Sequence, residues 1–426
     1  MTDPHSTTRG PLAGYRVLEL CSTIAGPACT RLFADFGAEV IKVEPPQGDP
    51  ARALGFRDGD VSLTGVALMR NKRSTIIDIK TPEGAKLVRE LAATCDIVVE
   101  NFRPGTLERL GLGYEDLSRD NPGLVMVRIS GYGQTGPYRH KGGYGAICEA
   151  FGGIRHLIGD PDRPPARVAV PVTDYVTAVY AAFGAMMALL ERERSGRGQV
   201  VDAALYEAAF SMMDSAVPTY DKLKLVPSRL GTRLPAMAPN NLYPASDGTY
   251  VLIAANSQAV YERLACAIER TDIIQDPRFA TIRARWDNVD ALDAIIGDWV
   301  GAQDAKDVES ALEAAGVPVS RVYTLPDIFE DAHYRERDML LDVPHPVLGD
   351  VVLPGIVPKL SATPGEVRWA GTEAGSDTRA VLAELLALDE GALDALERSG
   401  VIATAIADGR PSDGPTPTPT EEDPRR

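Results

Sequence analysis

The sequence predicts an α/β protein with a mostly parallel sheet. Three observations carry that expectation. Short β-rich runs alternate with helical apolar spacings, a long apolar segment rich in small residues follows, and a charged stretch with two glycines closes it.

Residues 15–20 (YRVLEL) form the first predicted strand, and residues 25–36 continue with helical spacing. Residues 38–44 (AEVIKVE) and 74–79 (STIIDI) are further strands, and residues 81–93 are a helix with Glu83 in its first turn. Residues 96–101 (DIVVEN) and 124–131 (LVMVRISG) complete a run spaced as βαβ units are. The long helix is predicted from Asp174 to about Glu193. Its Ala178, Ala181, Ala182, Gly184, Ala185 and Ala188 allow close packing, and ERERSGRG ends it. Residues 199–204 and a helix to about Met213 extend the pattern.

The texture then changes. Prolines and basic residues over 217–238 mark a linker, and residues 239–323 form a second, smaller module. Asp247-Gly248 between apolar runs signals a hairpin there. Residues 324–364 are Pro-rich and extended, and a helical piece at 372–399 can pack back on the first domain. The expected organisation is 11–216 for the first part of a large domain, 217–238 for the linker, 239–323 for the small domain and 324–406 for the return. Residues 1–10 and the Pro/Thr/acidic tail 407–426 are expected to be disordered.

Bulk properties remove several function classes. The 426 residues carry a net charge of −16, which argues against general nucleic-acid binding. A local basic pocket still suits an anion, since screening confines fields to about 10 Å. The apolar run at 175–190 is shorter than the roughly 20 residues that span a bilayer, so no membrane is expected. Cys21, Cys29, Cys95, Cys148 and Cys266 lie in apolar stretches without metal spacing. They are expected as reduced core thiols of a cytoplasmic protein. No Walker A, HExxH or GxSxG occurs, and no metal site is expected.

Four segments can carry chemistry. Ala25-Gly26-Pro27-Ala28 opens a helix after the first strand, where free backbone N–H groups hold an anion or acyl oxygen; a plain strand–helix turn explains it as well. Asn71-Lys72-Arg73-Ser74 places two cations at a strand, suited to phosphate or to a solvated face. Glu100-Asn101-Phe102-Arg103-Pro104-Gly105, with Arg109 beyond it, follows a parallel strand, where ligands of open α/β sheets bind; taken alone, a structural Pro-Gly turn explains it equally well. Pro171-Val172-Thr173-Asp174 puts a carboxylate at the start of the long helix, and taken alone it reads best as an N-cap.

Taken together, LELCSTIAGPACTRLFADFGAEVIKVE, NKRSTIIDIKTPEG, ENFRPGTLERLGLGYEDLSRDNPGLV, SGYGQTGPYRHKGGY and PVTDYVTAVYAAFGAMMALLERERSGRGQVVDAALYE resemble the family III CoA-transferases, the CaiB/BaiF group. The resemblance runs from residue 11 to about residue 400. It implies a Rossmann-like large domain built from both chain ends, a smaller α+β domain and an interlocked ring homodimer. It also implies that Asp174 attacks an acyl-CoA thioester, giving an aspartyl anhydride and then an aspartyl-CoA thioester from which an acid acceptor takes coenzyme A. The donor is an acyl-CoA, succinyl-CoA being common in the family. No permanently bound cofactor is implied; coenzyme A thioesters are substrates. By the same resemblance, Thr23, Ile24, Ala25, Lys72, Arg73, Asn101, Phe102, Arg103, Arg109 and Tyr144 contact coenzyme A or the reacting carboxylate.

Departures narrow the expectation. Ile24 stands where formyl- and oxalyl-transferring members have glutamine, and Pro239-Asn240-Asn241-Leu242-Tyr243-Pro244 replaces their glycine run. Asn240 and Asn241 are candidate contacts to the acceptor; Arg155, His156 and Arg233 are weaker candidates for a second carboxylate. The related α-methylacyl-CoA racemases pair the aspartate with a histidine, whereas this chain has Tyr144 there, a poor base at neutral pH. A non-catalytic coenzyme A-binding protein would not need Asp174.

Overall fold

The computed structural model describes residues 10–406. The tail 407–426 and all but the last residue of 1–10 lie outside the described residues. The described chain divides into two units. One comprises residues 10–154, 168–214 and 335–406, the other residues 155–167 and 215–334.

Six parallel strands form the centre of the first unit: β1 (Arg16–Leu20), β2 (Glu39–Glu44), β3 (Lys72–Ile77), β4 (Ile97–Glu100), β5 (Val125–Ser130) and β6 (Val200–Ala204). Their spatial order is β3-β2-β1-β4-β5-β6, with the short strand Ile402–Ala403 antiparallel on the β3 edge. Leu18 lies opposite Ile41 on one side and Val98 on the other. Successive side chains alternate between faces. Val17, Val40, Val99 and Val127 enter one core, and Leu18, Ile41, Val98 and Met126 the other. Helices cover both faces, which is why the strands read as continuous apolar runs. Each fully buried side chain of this kind contributes about 1.5–3 kcal/mol. The strand order reverses between β1 and β4, opening a crevice at their carboxyl ends.

The long helix spans Val172–Ser195, two residues earlier than predicted, with Pro171 at its N-cap. Gly196 closes it in the left-handed conformation and donates its N–H to the Arg192 carbonyl. Ala178, Ala181, Ala185 and Ala188 are buried in the core shared with helix Ala25–Asp35. A Cβ on Gly184 would stand 2.6 Å from Val201, so glycine lets the helix approach β6. The helix is long and apolar enough to cross a bilayer by length and composition, but its small-residue stripe is buried in this core.

The second unit holds a three-stranded antiparallel sheet of Asn240–Pro244, Tyr250–Ala254 and Val319–Arg321. The turn between the first two contains the expected Asp247-Gly248, with Gly248 at φ +82° and the Asp247 carboxylate accepting the Thr249 N–H. Tyr261, Leu264, Phe279, Leu292, Ile296 and Val308 fill its core. Three expectations need correction. Residues 217–238 are not all irregular: Ala216–Leu223 is a helix, since Pro218 sits in its first turn, where it removes no helical bond. Residues 324–364 contain the helices Leu325–Glu330 and Ala332–Glu336 and the hairpin Leu340–His345/Gly349–Pro354. Cys266 is exposed; the other four cysteines are buried, and all five are free.

Candidate active site

The crevice at the carboxyl edge is built from loops that leave β1, β4 and β5. After β1, Thr23 adopts φ +72°, uncommon for a β-branched residue. Its N–H donates to Asp49 Oδ1 at 3.0 Å, so Thr23 has no backbone donor left for a ligand. Ile24 is the N-cap of helix Ala25–Asp35 and makes no side-chain cap bond. The N–H groups of Ile24 and Ala25 precede the helical ladder, where intrahelical acceptors do not exist. Thus two of the three residues expected here keep a donor.

After β4, the Asn101 amide accepts the Ser22 N–H at 2.9 Å and donates to the Ser22 carbonyl at 2.8 Å. This side chain joins the β1 exit to the β4 exit. Phe102 is half-buried against the second core, and its N–H donates to Glu100. Arg103 and Arg109 are exposed, and among the described residues neither forms an ion pair. Among the described residues, the Arg109 side chain donates only to the Thr106 hydroxyl, at 3.2 Å. The loop is held from below: Arg128 on β5 pairs with Glu100 at 2.7 Å and Glu108 at 2.6 Å. Burial pushes the Glu100 carboxyl up to about 7, although Arg128 and the Phe102 N–H pull the other way.

After β5, the chain returns through Gly142 and Gly143 to Tyr144, the N-cap of helix Gly145–Phe151. A Cβ on Gly142 would meet the Arg103 guanidinium at 3.5 Å, and one on Gly145 would stand 2.0 Å from Asp174 Oδ2. The Asp174 carboxylate therefore lies directly over the Gly145 backbone. Asp174 is partly buried in the first turn of its helix and is not its N-cap, so the simple capping reading is corrected. Cys148 lies beneath it, wholly buried, and burial together with the Asp174 charge pushes its thiol up to about 11. Tyr144 is 77% exposed. Tyr132, Phe151, Tyr138 and Tyr206 form an aromatic wall beside this loop, with Tyr132 and Phe151 centroids 5.2 Å apart.

Lys72 and Arg73 are not among the exposed groups of this crevice. They stand at the opposite end of β3 from the carboxyl edge. The Lys72 side chain runs under helix Ala25–Asp35, where its ammonium meets Glu19 at 2.8 Å, the Pro27 carbonyl at 2.7 Å and the Thr30 hydroxyl at 2.8 Å. Arg73 pairs with Glu39 and Glu384 and lines a cleft of about 520 Å³ with Tyr15, Arg16, Asp96 and Trp369. Sequence reasoning passed over Lys80, exposed just beyond β3, and His140 and Lys141, next to Gly142. Position after a strand's carboxyl end was the available signal. In the second unit, Asn240 pairs with Ala254 in the sheet. The Asn241 amide donates to Asp293 and accepts from the Thr232 hydroxyl and the Leu242 N–H. Arg233 pairs with Asp290 and Asp293.

A carboxylate, backbone donors and exposed arginines at one sheet edge match a known group. The model of CoA-transferase family III matches residues 12–378. The chain belongs to this family. It is 46% identical over 394 residues to the succinyl-CoA–D-citramalate CoA-transferase of Chloroflexus aurantiacus, covering 92% of this chain and 98% of that protein. It is 38% identical over 403 residues to the beta subunit of succinyl-CoA–L-malate CoA-transferase from the same organism, covering 93% and 99%. A CaiB/BaiF family crystal structure from Brucella suis superposes with a TM-score of 0.80 at 34% identity, covering 88% of this chain and 100% of that one. As a family III CoA-transferase the protein moves coenzyme A from an acyl-CoA to a carboxylic acid, and coenzyme A thioesters are its substrates.

Proposed function

We propose that the enzyme transfers coenzyme A from succinyl-CoA to a short dicarboxylic or hydroxydicarboxylic acid, with Asp174 as the covalent nucleophile. The placement of the Asp174 carboxylate over Gly145, at the edge where Arg103 and Arg109 stand unpaired, carries this reading. The two Chloroflexus relatives, both named for succinyl-CoA and a hydroxy acid, support the substrate class.

The Asp174 carboxylate attacks the thioester carbonyl and expels the coenzyme A thiolate, leaving a mixed anhydride. The thiolate attacks the aspartyl carbonyl, releasing succinate and forming an aspartyl-CoA thioester. The acceptor carboxylate repeats the sequence in reverse: it displaces thiolate to form a second anhydride, and thiolate then attacks the acceptor carbonyl and frees Asp174. Each step exchanges one acyl bond for another without oxidation. The Ile24 and Ala25 N–H groups receive the tetrahedral oxyanion. Arg103 and Arg109, with Lys80 and Lys141, hold the phosphates, Asn101 and Phe102 frame the nucleotide, and Tyr144 borders the reacting centre. Lys72 and Arg73 stabilise the fold.

The working form is a homodimer. Val179, Tyr180, Phe183, Met187 and Leu190 leave one apolar face of the long helix 44–61% exposed, which a second copy covers. Five free cysteines fit a reducing compartment, the cytoplasm.

Incubation of the enzyme and succinyl-CoA with a panel of acids, read by mass spectrometry, tests the function. A new dicarboxylyl-CoA is expected, and Asp174→Ala is expected to lower the rate by at least about 10³-fold. Full activity in Asp174→Ala removes the nucleophile assignment. Solvent deuterium entering the α-position of a 2-methylacyl-CoA without transfer would instead favour the racemase chemistry.

A further inference from the structure

Three polar side chains, Lys42 on β2, Asp49 beyond β2 and Asn101 at the exit of β4, grip the two consecutive peptides of Cys21–Thr23, just before helix Ala25–Asp35. The Lys42 ammonium donates to the Cys21 carbonyl at 3.0 Å. The Asn101 amide takes both polar groups of Ser22. Asp49 Oδ1 accepts the Thr23 N–H at 3.0 Å and the Ala51 N–H at 2.7 Å. Asp49 is itself held: its N–H donates to Glu44, and its other oxygen lies 2.6 Å from the Lys42 ammonium. Lys42 continues to Glu19 at 2.7 Å, and Glu19 to Lys72 at 2.8 Å. Glu19, Lys42, Lys72 and Asp49 thus form a closed set of two anions and two cations, each at most 3% exposed.

Such a set is a poor choice for stability alone, because apolar side chains of similar volume usually serve as well or better. Its position offers another reason. Thr23 sits in the left-handed region, which a β-branched residue avoids unless its surroundings impose it. Releasing the Thr23 N–H would let that peptide rotate, and the next two N–H groups would turn with it.

We infer that Asp49 is a positioning residue for catalysis: by holding Thr23 in its left-handed conformation, it aims the Ile24 and Ala25 N–H groups at the oxyanion. This rests on the proposed role of those N–H groups beside Asp174. Lys42 fixes the Asp49 carboxylate, and Asn101 fixes the preceding peptide, so the aim is set by strands β1, β2 and β4 together.

The test is the rate at which succinyl-CoA acylates Asp174 in a single turnover, measured with KM for succinyl-CoA and thermal stability. Asp49→Ala is expected to slow acylation by about 10²-fold with KM within about threefold, since a small misplacement of donors acts on the transition state. Asp49→Asn, which keeps an acceptor for Thr23, is expected to recover most of the loss. Thr23→Gly introduced into Asp49→Ala is expected to recover part of it, because glycine adopts φ +72° without help. A merely structural Asp49 would lower the melting temperature and leave acylation of the folded enzyme unchanged, and that result would overturn the inference. If Asp49→Ala does not fold, Asp49→Asn and Asp49→Ser decide: acylation equal to wild type in both overturns it. Asp174→Ala run in parallel separates the outcomes, since activity without Asp174 defeats the nucleophile reading whatever Asp49 does.

Discussion

Two groups of cations in the first unit look alike in sequence and differ in everything physical. Lys42, Lys72 and Arg73 are buried and paired with Glu19, Asp49, Glu39 and Glu384. Arg103 and Arg109 are exposed at the carboxyl edge and unpaired among the described residues. The buried carboxylates divide in the same way. Burial alone would raise Glu19, but two lysine ammoniums hold it down at about 2. Glu100 has one guanidinium, shared with Glu108, and burial wins, at about 7. A cation therefore announces a ligand only where no carboxylate has reached it first, and the sheet decides which carboxylates can.

The sharpest way to break this comparison is to remove a member of the buried set. Lys72→Met leaves Glu19 with half its compensation in a dry site, and a loss of about 3–5 kcal/mol is expected in denaturant unfolding. Binding of coenzyme A by the protein that remains folded should be unaltered. A stable Lys72→Met enzyme with weakened coenzyme A binding would show that Lys72 belongs to the ligand site.

Gly145→Ala comes next. Its Cβ would fall 2.0 Å from Asp174 Oδ2, so the carboxylate or the helix must move. A fall in kcat of about 10²-fold is expected, with little change in melting temperature. An unchanged kcat would place the working conformation of Asp174 elsewhere.

Arg103→Ala and Arg109→Ala should each raise KM for succinyl-CoA about tenfold, more at low salt, and leave stability within about 0.5 kcal/mol. Among the described residues neither side chain has an ion pair to lose, and Arg109 has only its bond to the exposed Thr106 hydroxyl. A drop in melting temperature would mean that these arginines support the loop instead.

The smallest effect is a pH slope. Glu100 binds its proton more tightly folded than unfolded, so its contribution is complete below about 4.5 and is lost as pH rises through about 7. About 1 kcal/mol of stability should disappear between pH 6 and 8, and Glu100→Gln should flatten that slope. Glu19 has the opposite sign. Its contribution is present above about 4.5 and is lost as pH falls toward about 2, so acid unfolding should begin in that window.

Much of the fold was legible because parallel strands buried on both faces leave uninterrupted apolar runs, as in residues 125–130 and 97–100. The crevice was legible too, since loops that follow such strands carry Asn101, Arg103 and Arg109 to one edge. What the sequence could not display was partnership over distance. Lys72 and Glu19 are 53 residues apart, and nothing in the local pattern of either shows that they touch. Asp49 was invisible for the same reason: it reads as an ordinary turn residue until Lys42 and Thr23 are seen on either side of it. Asp174 lay between these cases. Its position at a helix start was plain, but only the structure, with Pro171 at the N-cap and Gly145 beneath the carboxylate, distinguishes it from a cap.

The central claim is that Asp174 becomes covalently acylated. Hydroxylamine added during turnover with succinyl-CoA attacks the activated Asp174 carbonyl, displacing succinate from the anhydride or thiolate from the thioester, and leaves an aspartyl hydroxamate, which peptide mass spectrometry locates. The account predicts modification at Asp174 that requires both hydroxylamine and succinyl-CoA and disappears in Asp174→Asn. Turnover with Asp174 unmodified, or a hydroxamate on another carboxylate, would contradict it.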